Sequence, residues 1–257
     1  MEALKGKTAI VTGASRGIGK SLGQALAREG MNLIIAARGK AVIEEVAASL
    51  AKDFSVKIVP VACDVTSQND LEHLVKTAVD KFKRVDALIN SAGVTSQYPF
   101  QDQPLNDISK LMYTNYFGAV MLSRLMINHF IENKGGSIIN ITSGSTLVDP
   151  PPRNFIVYSS LKRALNAFSK GLFWEVRDFG IKVTAIMPGV TDTALTGGLA
   201  EISVDRSRLM QTGVIEDAVK FALSVPANVC PLEISVINQR TPWTRPVIPY
   251  RQDHPKE

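Results

Sequence analysis

The chain has 257 residues, 45% hydrophobic and 21% charged, with a formal net charge of +5. That is a globular composition long enough for a full core, and no run approaches the roughly 18 apolar residues of a membrane-spanning helix. The basic residues are scattered in no run longer than a pair, which argues against a nucleic-acid-binding stripe.

His73, His129 and His254 lie far apart, and no Cys, His or carboxylate cluster has metal-ligand spacing, so no metal is expected. Cys63 and Cys230 each sit in an apolar setting and read as free buried thiols. With a first strand beginning near the N-terminus and no signal-peptide pattern ahead of it, a reducing cytoplasmic compartment is expected.

The first predicted strand, 8–11, runs into Thr12-Gly13-Ala14-Ser15-Arg16-Gly17-Ile18-Gly19, and a helix follows from Lys20. A strand, a glycine turn and a helix start form the geometry that holds a dinucleotide pyrophosphate. Helix N-termini offer unpaired N–H groups, and glycines let phosphates approach the backbone. The order Gly-x-x-x-Gly-x-Gly differs from the commoner Gly-x-Gly-x-x-Gly fingerprint.

Further strands are predicted at 32–36, 57–61, 87–89, 137–141, 182–186 and 233–237. Helical patterns alternate with them at 42–51, 71–82, 111–130, 158–179 and 216–223, and Ser67 with Asp70 forms a capping box before Leu71. Short continuous apolar strands alternating with helices imply an α/β fold. It is read as one domain over 1–237, a doubly wound parallel sheet of about seven strands with helices on both faces.

Two segments break the rhythm. Residues 188–212 follow the sixth strand and read as a substrate lid, the alternative being a disordered connector. The tail 238–257 carries Pro242, Pro246, Pro249 and Pro255, which disfavour regular structure; it either packs or hangs loose.

Tyr158 and Lys162 are spaced i and i+4 on a predicted helix and share one face. An ammonium beside a phenol favours the phenolate, so Tyr158 is expected to have a lowered pKa and to act as an acid/base. Alone the spacing is common by chance. The strand ending Ile141-Thr142-Ser143 puts a hydroxyl at the crevice just upstream, where Ser143 can hydrogen-bond a substrate oxygen.

The glycine turn, Asn90-Ser91-Ala92-Gly93, Asn115, Ser143, Tyr158 with Lys162, and Pro188-Gly189-x-x-x-Thr193 occur in that order. Together they resemble the short-chain dehydrogenase/reductase superfamily over about residues 5–237, which implies a Rossmann-type fold. By that resemblance Asn115, Ser143, Tyr158 and Lys162 form a catalytic tetrad: Tyr158 exchanges the proton, Ser143 positions the carbonyl, Lys162 binds the nicotinamide ribose and Asn115 holds a water. Gly13, Ser15, Arg16, Gly17, Ile18 and Gly19 are expected at the cofactor. The resemblance also implies Asn90, Ala92 and Gly93 at the adenosine side and bracing the sheet, Asp64 with Val65 at the adenine, and Pro188, Gly189 and Thr193 at the nicotinamide.

Two positions depart from the family pattern. Ser91 stands where an Asn is usual, and the interval from Ser143 to Tyr158 is longer than usual. Ser145 stands at the usual interval, but Ser143 fits the strand end and is favoured. The triple proline at Pro150, Pro151 and Pro152 then accounts for a larger loop.

The second strand leads to Ala37-Arg38, where an NAD-specific site places an acid to hold the ribose hydroxyls. Arg38 and Arg16 match a 2′-phosphate in charge and fork geometry, so NADP(H) is the expected cofactor.

The expected activity is NADPH-dependent reduction of a ketone or aldehyde. The alternatives are oxidation of a secondary alcohol of 3-hydroxy-acid or hydroxysteroid type, and a non-catalytic NADP(H)-binding regulator. Thr95, Tyr98, Ser145, Leu147, Phe155, Val190 and the loop 193–199 are expected around a neutral or weakly polar substrate, with no arginine clamp apart from Arg153. Family members assemble through the long helices matching 111–130 and 158–179, which implies a homodimer or homotetramer here, although the same apolar residues also suit internal core.

Overall fold

The structure is a computed structural model that describes residues 3–197 and 204–243. Its centre is a seven-stranded, wholly parallel sheet in the order β3-β2-β1-β4-β5-β6-β7. The strands are β1 (Thr8–Thr12), β2 (Asn32–Ala37), β3 (Ile58–Ala62), β4 (Ala87–Asn90), β5 (Gly136–Ile141), β6 (Ile181–Pro188) and β7 (Glu233–Val236). Each lies within two residues of its expected bounds. The longest run, β6, continues two residues further than its apolar pattern suggested.

Burial explains the sequence pattern. Every residue of β1 and β4 is buried, because parallel central strands are covered on both faces. The outer strands β3 and β7 are only partly buried. Pro60, which has no N–H to donate, is accommodated because β3 is an edge strand.

Eight helices occur among the described residues: α1 (Gly17–Arg28), α2 (Lys40–Asp53), α3 (Gln68–Phe82), α4 (Leu105–Met112), α5 (Gly118–Glu132), α6 (Ile156–Val176), α7 (Ala194–Gly197) and α8 (Gly213–Ser224). They split the core into two layers. Leu22, Leu26, Val46, Leu50, Ile215 and Val219 pack with Val11, Ile35 and Ile139 on one face. Leu71, Leu74, Leu122, Met126 and Phe130 pack with Ile10, Ile34 and Ile138 on the other. Successive strand residues thus serve opposite layers, as the two-residue period of a strand requires.

Local chemistry sets the boundaries. The Asp70 N–H donates to the Ser67 hydroxyl at 3.3 Å, the N-cap of the expected box. Asp70 also accepts from the Asp64 N–H at 2.8 Å, which fixes the turn leaving β3. The single helix expected at 111–130 is instead α4 and α5 joined by a π-helical turn, Tyr113–Phe117. Gly118 follows it, and a Cβ there would lie 2.7 Å from the Val65 carbonyl oxygen, so only glycine permits this approach. Such wide turns recur where a helix must aim a functional side chain, and this one carries Asn115.

On the face covered by α5 and α6 runs a buried polar ladder. Asn90 on β4 donates to Asn140 on β5 at 2.8 Å, and Asn140 donates to Ser169 on α6, also at 2.8 Å. Asn90 reaches Ser123 on α5 at 3.4 Å. Each serine closes the ladder by donating to its own helix backbone.

Candidate active site

All seven strands point the same way, so the loops leaving their carboxyl ends surround one crevice. It is a cavity of about 1870 Å³ that spans the sheet from the β3 side to the β7 side.

The β1–α1 turn forms one wall. Gly13 and Gly17 have φ of +67° and +54°, in the left-handed region that disfavours side chains. A Cβ on Gly13 would lie 2.8 Å from the Ala92 Cα, and one on Gly19 would lie 2.3 Å from the Gly13 carbonyl oxygen. The turn therefore closes on itself and on the loop after β4 only without side chains. Thr12 fastens the two, its hydroxyl accepting from the Ser91 and Ala92 N–H groups at 3.1 and 3.2 Å. The first turn of α1 carries no acidic residue, leaving its positive end open to an anion. A cradle that a Cβ would fill, facing a helix N-terminus, fits a dinucleotide pyrophosphate.

Arg16 and Arg38 both line this end of the cavity and are exposed. Among the described residues neither guanidinium is paired with a carboxylate. Ala37, at the end of β2, offers no acid. Asp64, Val65 and Thr66 line the cavity beside them, with Asp64 accepting from both the Thr66 N–H and its hydroxyl.

At the opposite end, β5 delivers Ser143, which caps the short turn Gly144–Leu147 and accepts from the Ser145 N–H at 3.1 Å. The Ser143 hydroxyl also lies close enough to the Tyr158 phenol to pull its pKa down. One helical turn along α6, the Lys162 amine donates to the Ile141 carbonyl at 3.0 Å and lies 5.9 Å from the Tyr158 ring centroid. The expected lowering of the Tyr158 pKa is not what this arrangement gives. Burial raises it and outweighs the downward pull of Ser143. Lys162, 4% exposed, is pushed down to about 8 by burial.

Asn115 completes the group. Its carboxamide donates to the Val94 carbonyl at 2.9 Å and the Leu111 carbonyl at 3.2 Å, and accepts from the Val94 N–H at 3.2 Å. A Cβ on Gly93 would lie 3.1 Å from the Asn115 Oδ1 and 3.7 Å from the Lys162 Nζ, so glycine keeps these groups together. With three backbone bonds made, the Asn115 side chain is a clamp on the loop after β4.

The family model described as short chain dehydrogenase matches residues 7–202. The chain belongs to this family. An uncharacterized oxidoreductase of Staphylococcus aureus strain USA300 is 34% identical over 92% of this chain and 99% of its own length. Among solved structures, L-sorbose reductase from Gluconobacter frateurii, complexed with NADPH and L-sorbose, superposes with a TM-score of 0.83. It is 26% identical, over 92% of this chain and 97% of that one. The 3-ketoacyl-(acyl-carrier-protein) reductase from Brucella melitensis, complexed with NADH, superposes with a TM-score of 0.82 at 26% identity, over 92% and 99%.

Most of the expected residues of this short-chain dehydrogenase lie on the cavity: Ser15, Ile18, Ala92, Pro188, Gly189 and Thr193 as well as those above. The Thr193 side chain approaches Gly17, where a Cβ would meet it at 3.4 Å, so the loops after β1 and β6 face each other across the crevice. Thr95, Ser145, Phe155 and Val190 also line it.

Four expectations need correction. Asn90 is not on the cavity; it is 5% exposed and spends its amide within the polar ladder. Leu147 is 54% exposed because the Gly144–Leu147 turn directs it outward, and Val148 lines the cavity in its place. Tyr98 and Arg153 do not line the cavity either. Of the loop 193–199, residues 193–196 line the cavity, whereas 198 and 199 fall outside the described residues.

Sequence reasoning missed Thr12, Asn238 and Trp243. The Asn238 side chain accepts from the Val190 N–H at 2.8 Å and donates to the Val190 and Arg208 carbonyls at 2.9 and 2.8 Å. Trp243 lines the cavity from within the proline-rich tail, where a lone large aromatic was the available signal. The part of that tail beyond residue 243 lies outside the described residues. No helix among those described is long and apolar enough to cross a membrane.

Proposed function

We propose that this short-chain dehydrogenase reduces a ketone or aldehyde to an alcohol with NADPH. The observation that carries the reading is Ser143, Tyr158 and Lys162 held together at one end of a cavity whose other end is a glycine cradle flanked by two arginines that pair with no carboxylate among the described residues. When bound, the reduced nicotinamide dinucleotide supplies a hydride to the carbonyl carbon.

The chain's own groups manage the oxygen. Ser143 and Tyr158 donate to it, and Tyr158 gives up its proton as negative charge develops there. A phenol whose pKa is raised keeps that proton at neutral pH, which suits the acid role of reduction. Charged Lys162 stabilises the phenolate left behind and holds the nicotinamide ribose. Arg16 and Arg38 hold the 2′-phosphate, with no acid at Ala37 to bind free ribose hydroxyls. The reverse oxidation uses the same residues and is favoured as pH rises.

The enzyme is proposed to work in the cytoplasm as a dimer or tetramer. Exposed Leu105 (80%), Met112, Tyr113 and Trp174 (59%) on α4, α6 and the π turn support a shared helical face. The test is consumption of NADPH and of NADH against ketones, aldehydes and 3-oxoacyl thioesters. Turnover preferring NADPH and lost in Tyr158→Phe supports the reading. Cofactor binding without turnover across the panel would point to the regulator instead.

A further inference from the structure

The described part of the tail is a strap across the substrate end of the cavity. From β7 the chain passes Asn238, which is bonded to Val190 and Arg208. It then runs beside residues 204–208. The Arg208 guanidinium donates to the Thr241 carbonyl at 3.1 Å, the Asp205 N–H donates to the Pro242 carbonyl at 2.7 Å, and Val204 forms an antiparallel bridge with Trp243. Asp205 and Arg208 are themselves ion-paired at 2.8 Å.

These bonds set Trp243 against the chemistry. Its ring centroid lies 6.4 Å from that of Phe155 at a 49° tilt, and Phe155 meets Tyr158 edge-on at 6.5 Å. Phe155 is buried, while Trp243 keeps partial exposure and lines the cavity. Val94, Val148, Pro152 and Leu195 add apolar lining. Among the described residues, the cations on the lining other than Lys162 are Arg16, Arg38 and Lys110, which come from the segments after β1 and β2 and from α4. Among those residues the segments from β5 to β7 thus bring no cation but Lys162 to meet an anionic substituent.

We infer that Trp243 and Phe155 form the wall that receives the larger substituent of the carbonyl substrate, and that this substituent is a flat, uncharged aromatic ring. Trp243 and Phe155 both line the cavity, and aromatic pairs favour offset or edge-to-face contacts, so a flat ring gains a contact term here beyond its area burial. A flexible alkyl chain of equal size gains the burial but not this term and loses more rotamer freedom on binding. The inference rests on the proposed carbonyl reduction and names its substrate class.

The test compares acetophenone with 2-octanone, ketones of equal carbon number, using Trp243→Ala, Trp243→Phe and Tyr158→Phe. The wild type should favour acetophenone at least tenfold in kcat/KM. Trp243→Ala should remove that preference through KM with kcat changed less than threefold, and Trp243→Phe should largely restore it. Equal losses on both ketones, or no change in either KM, would overturn the wall.

A second readout needs no turnover. The chain's two tryptophans are Trp174 and Trp243, so Trp174→Phe leaves Trp243 as the sole indole reporter. With NADP⁺ present, acetophenone should quench its fluorescence saturably, and absence of saturable quenching would overturn the wall. If quenching occurs but no ketone is reduced, or Tyr158→Phe stays active, the proposed reaction fails while the wall stands.

Discussion

Asn238 pairs with Val190 as a neighbouring strand would: its carboxamide accepts from the Val190 N–H at 2.8 Å and donates to the Val190 carbonyl at 2.9 Å. Gly189 allows this, since a Cβ there would lie 2.4 Å from the Asn238 Oδ1. One side chain thereby extends the β6–β7 pairing past the end of both strands and fixes the loop that lines the cavity.

Asn238→Ala leaves the Val190 N–H without its partner, while the Val190 carbonyl keeps the bond it accepts from the Met210 N–H. Partial solvent access moderates the cost to about 2 kcal/mol, within the usual range for unsatisfied groups. For a chain of this size that lowers Tm by roughly 4–8 °C. Asn238→Asp should be worse, because a carboxylate would face the Val190 and Arg208 carbonyl oxygens that the amide now donates to. Thermal denaturation checks the order; an Asp variant as stable as wild type would refute the pairing.

Ser143→Ala should cut kcat by about 10²–10³, the usual cost of removing one donor to a developing oxyanion. Ser145→Ala should change mainly KM, because Ser145 lines the cavity but its buried hydroxyl makes no hydrogen bond to the described residues. Steady-state kinetics of the two variants decide the assignment, and the opposite pattern would transfer the Ser143 role to Ser145.

Lys162 governs two pH effects. Its folded pKa of about 8 lies below the ordinary lysine value of 10.5, so the unfolded chain binds more protons between them. Stability of the cofactor-free protein should therefore rise as pH increases from about 8 toward 10.5, with the whole burial penalty present at pH 7. At 1.36 kcal/mol per pKa unit that penalty is about 3 kcal/mol, and loss of the donor to Ile141 offsets about 1 of it. Lys162→Met should thus stabilise the cofactor-free protein at pH 7 by about 2 kcal/mol while losing activity. In the wild type, kcat/KM for reduction should fall as pH rises through about 8, and this fall should shift upward in Lys162→Arg.

Arg16→Ser and Arg38→Ser should each raise the KM for NADPH about 10- to 100-fold, since a charge-assisted hydrogen bond contributes about 1.5–3 kcal/mol. The KM for NADH should change less than threefold. The ratio of catalytic efficiencies measures this directly. Unchanged ratios would leave both arginines as ordinary surface residues.

The sheet was legible because its strands are short apolar runs separated by helical periods, and the glycine turn because only glycine fits its φ values and close approaches. Asn115, Ser143, Tyr158 and Lys162 were legible as a set in order. Local pattern does not disclose where a side chain is spent. Asn90 was expected both at the adenosine side and as a brace of the sheet, and only the brace forms, since Asn140 offers it a partner at 2.8 Å. Leu147 pointed outward because Ser143 caps a short turn that the residues between them did not announce. The Tyr158 pKa was misjudged for a similar reason: burial, a tertiary property, exceeded the neighbouring group that sequence spacing revealed. Trp243 sits far along the chain from Phe155, so only the folded strap brings them together.

The ladder from Ser123 through Asn90 and Asn140 to Ser169 also acts as an alignment key. Asn90 and Asn140 are direct partners in the β4–β5 register. If either strand slipped by one residue, both amides would face apolar groups across the sheet, each at a cost of about 1–3 kcal/mol, and the two serines would lose their links. An apolar pair here would stick in several registers with similar energy. The asparagines make the correct one distinguishable, and with it the positions at which β4 ends beside Gly93 and β5 ends beside Ser143.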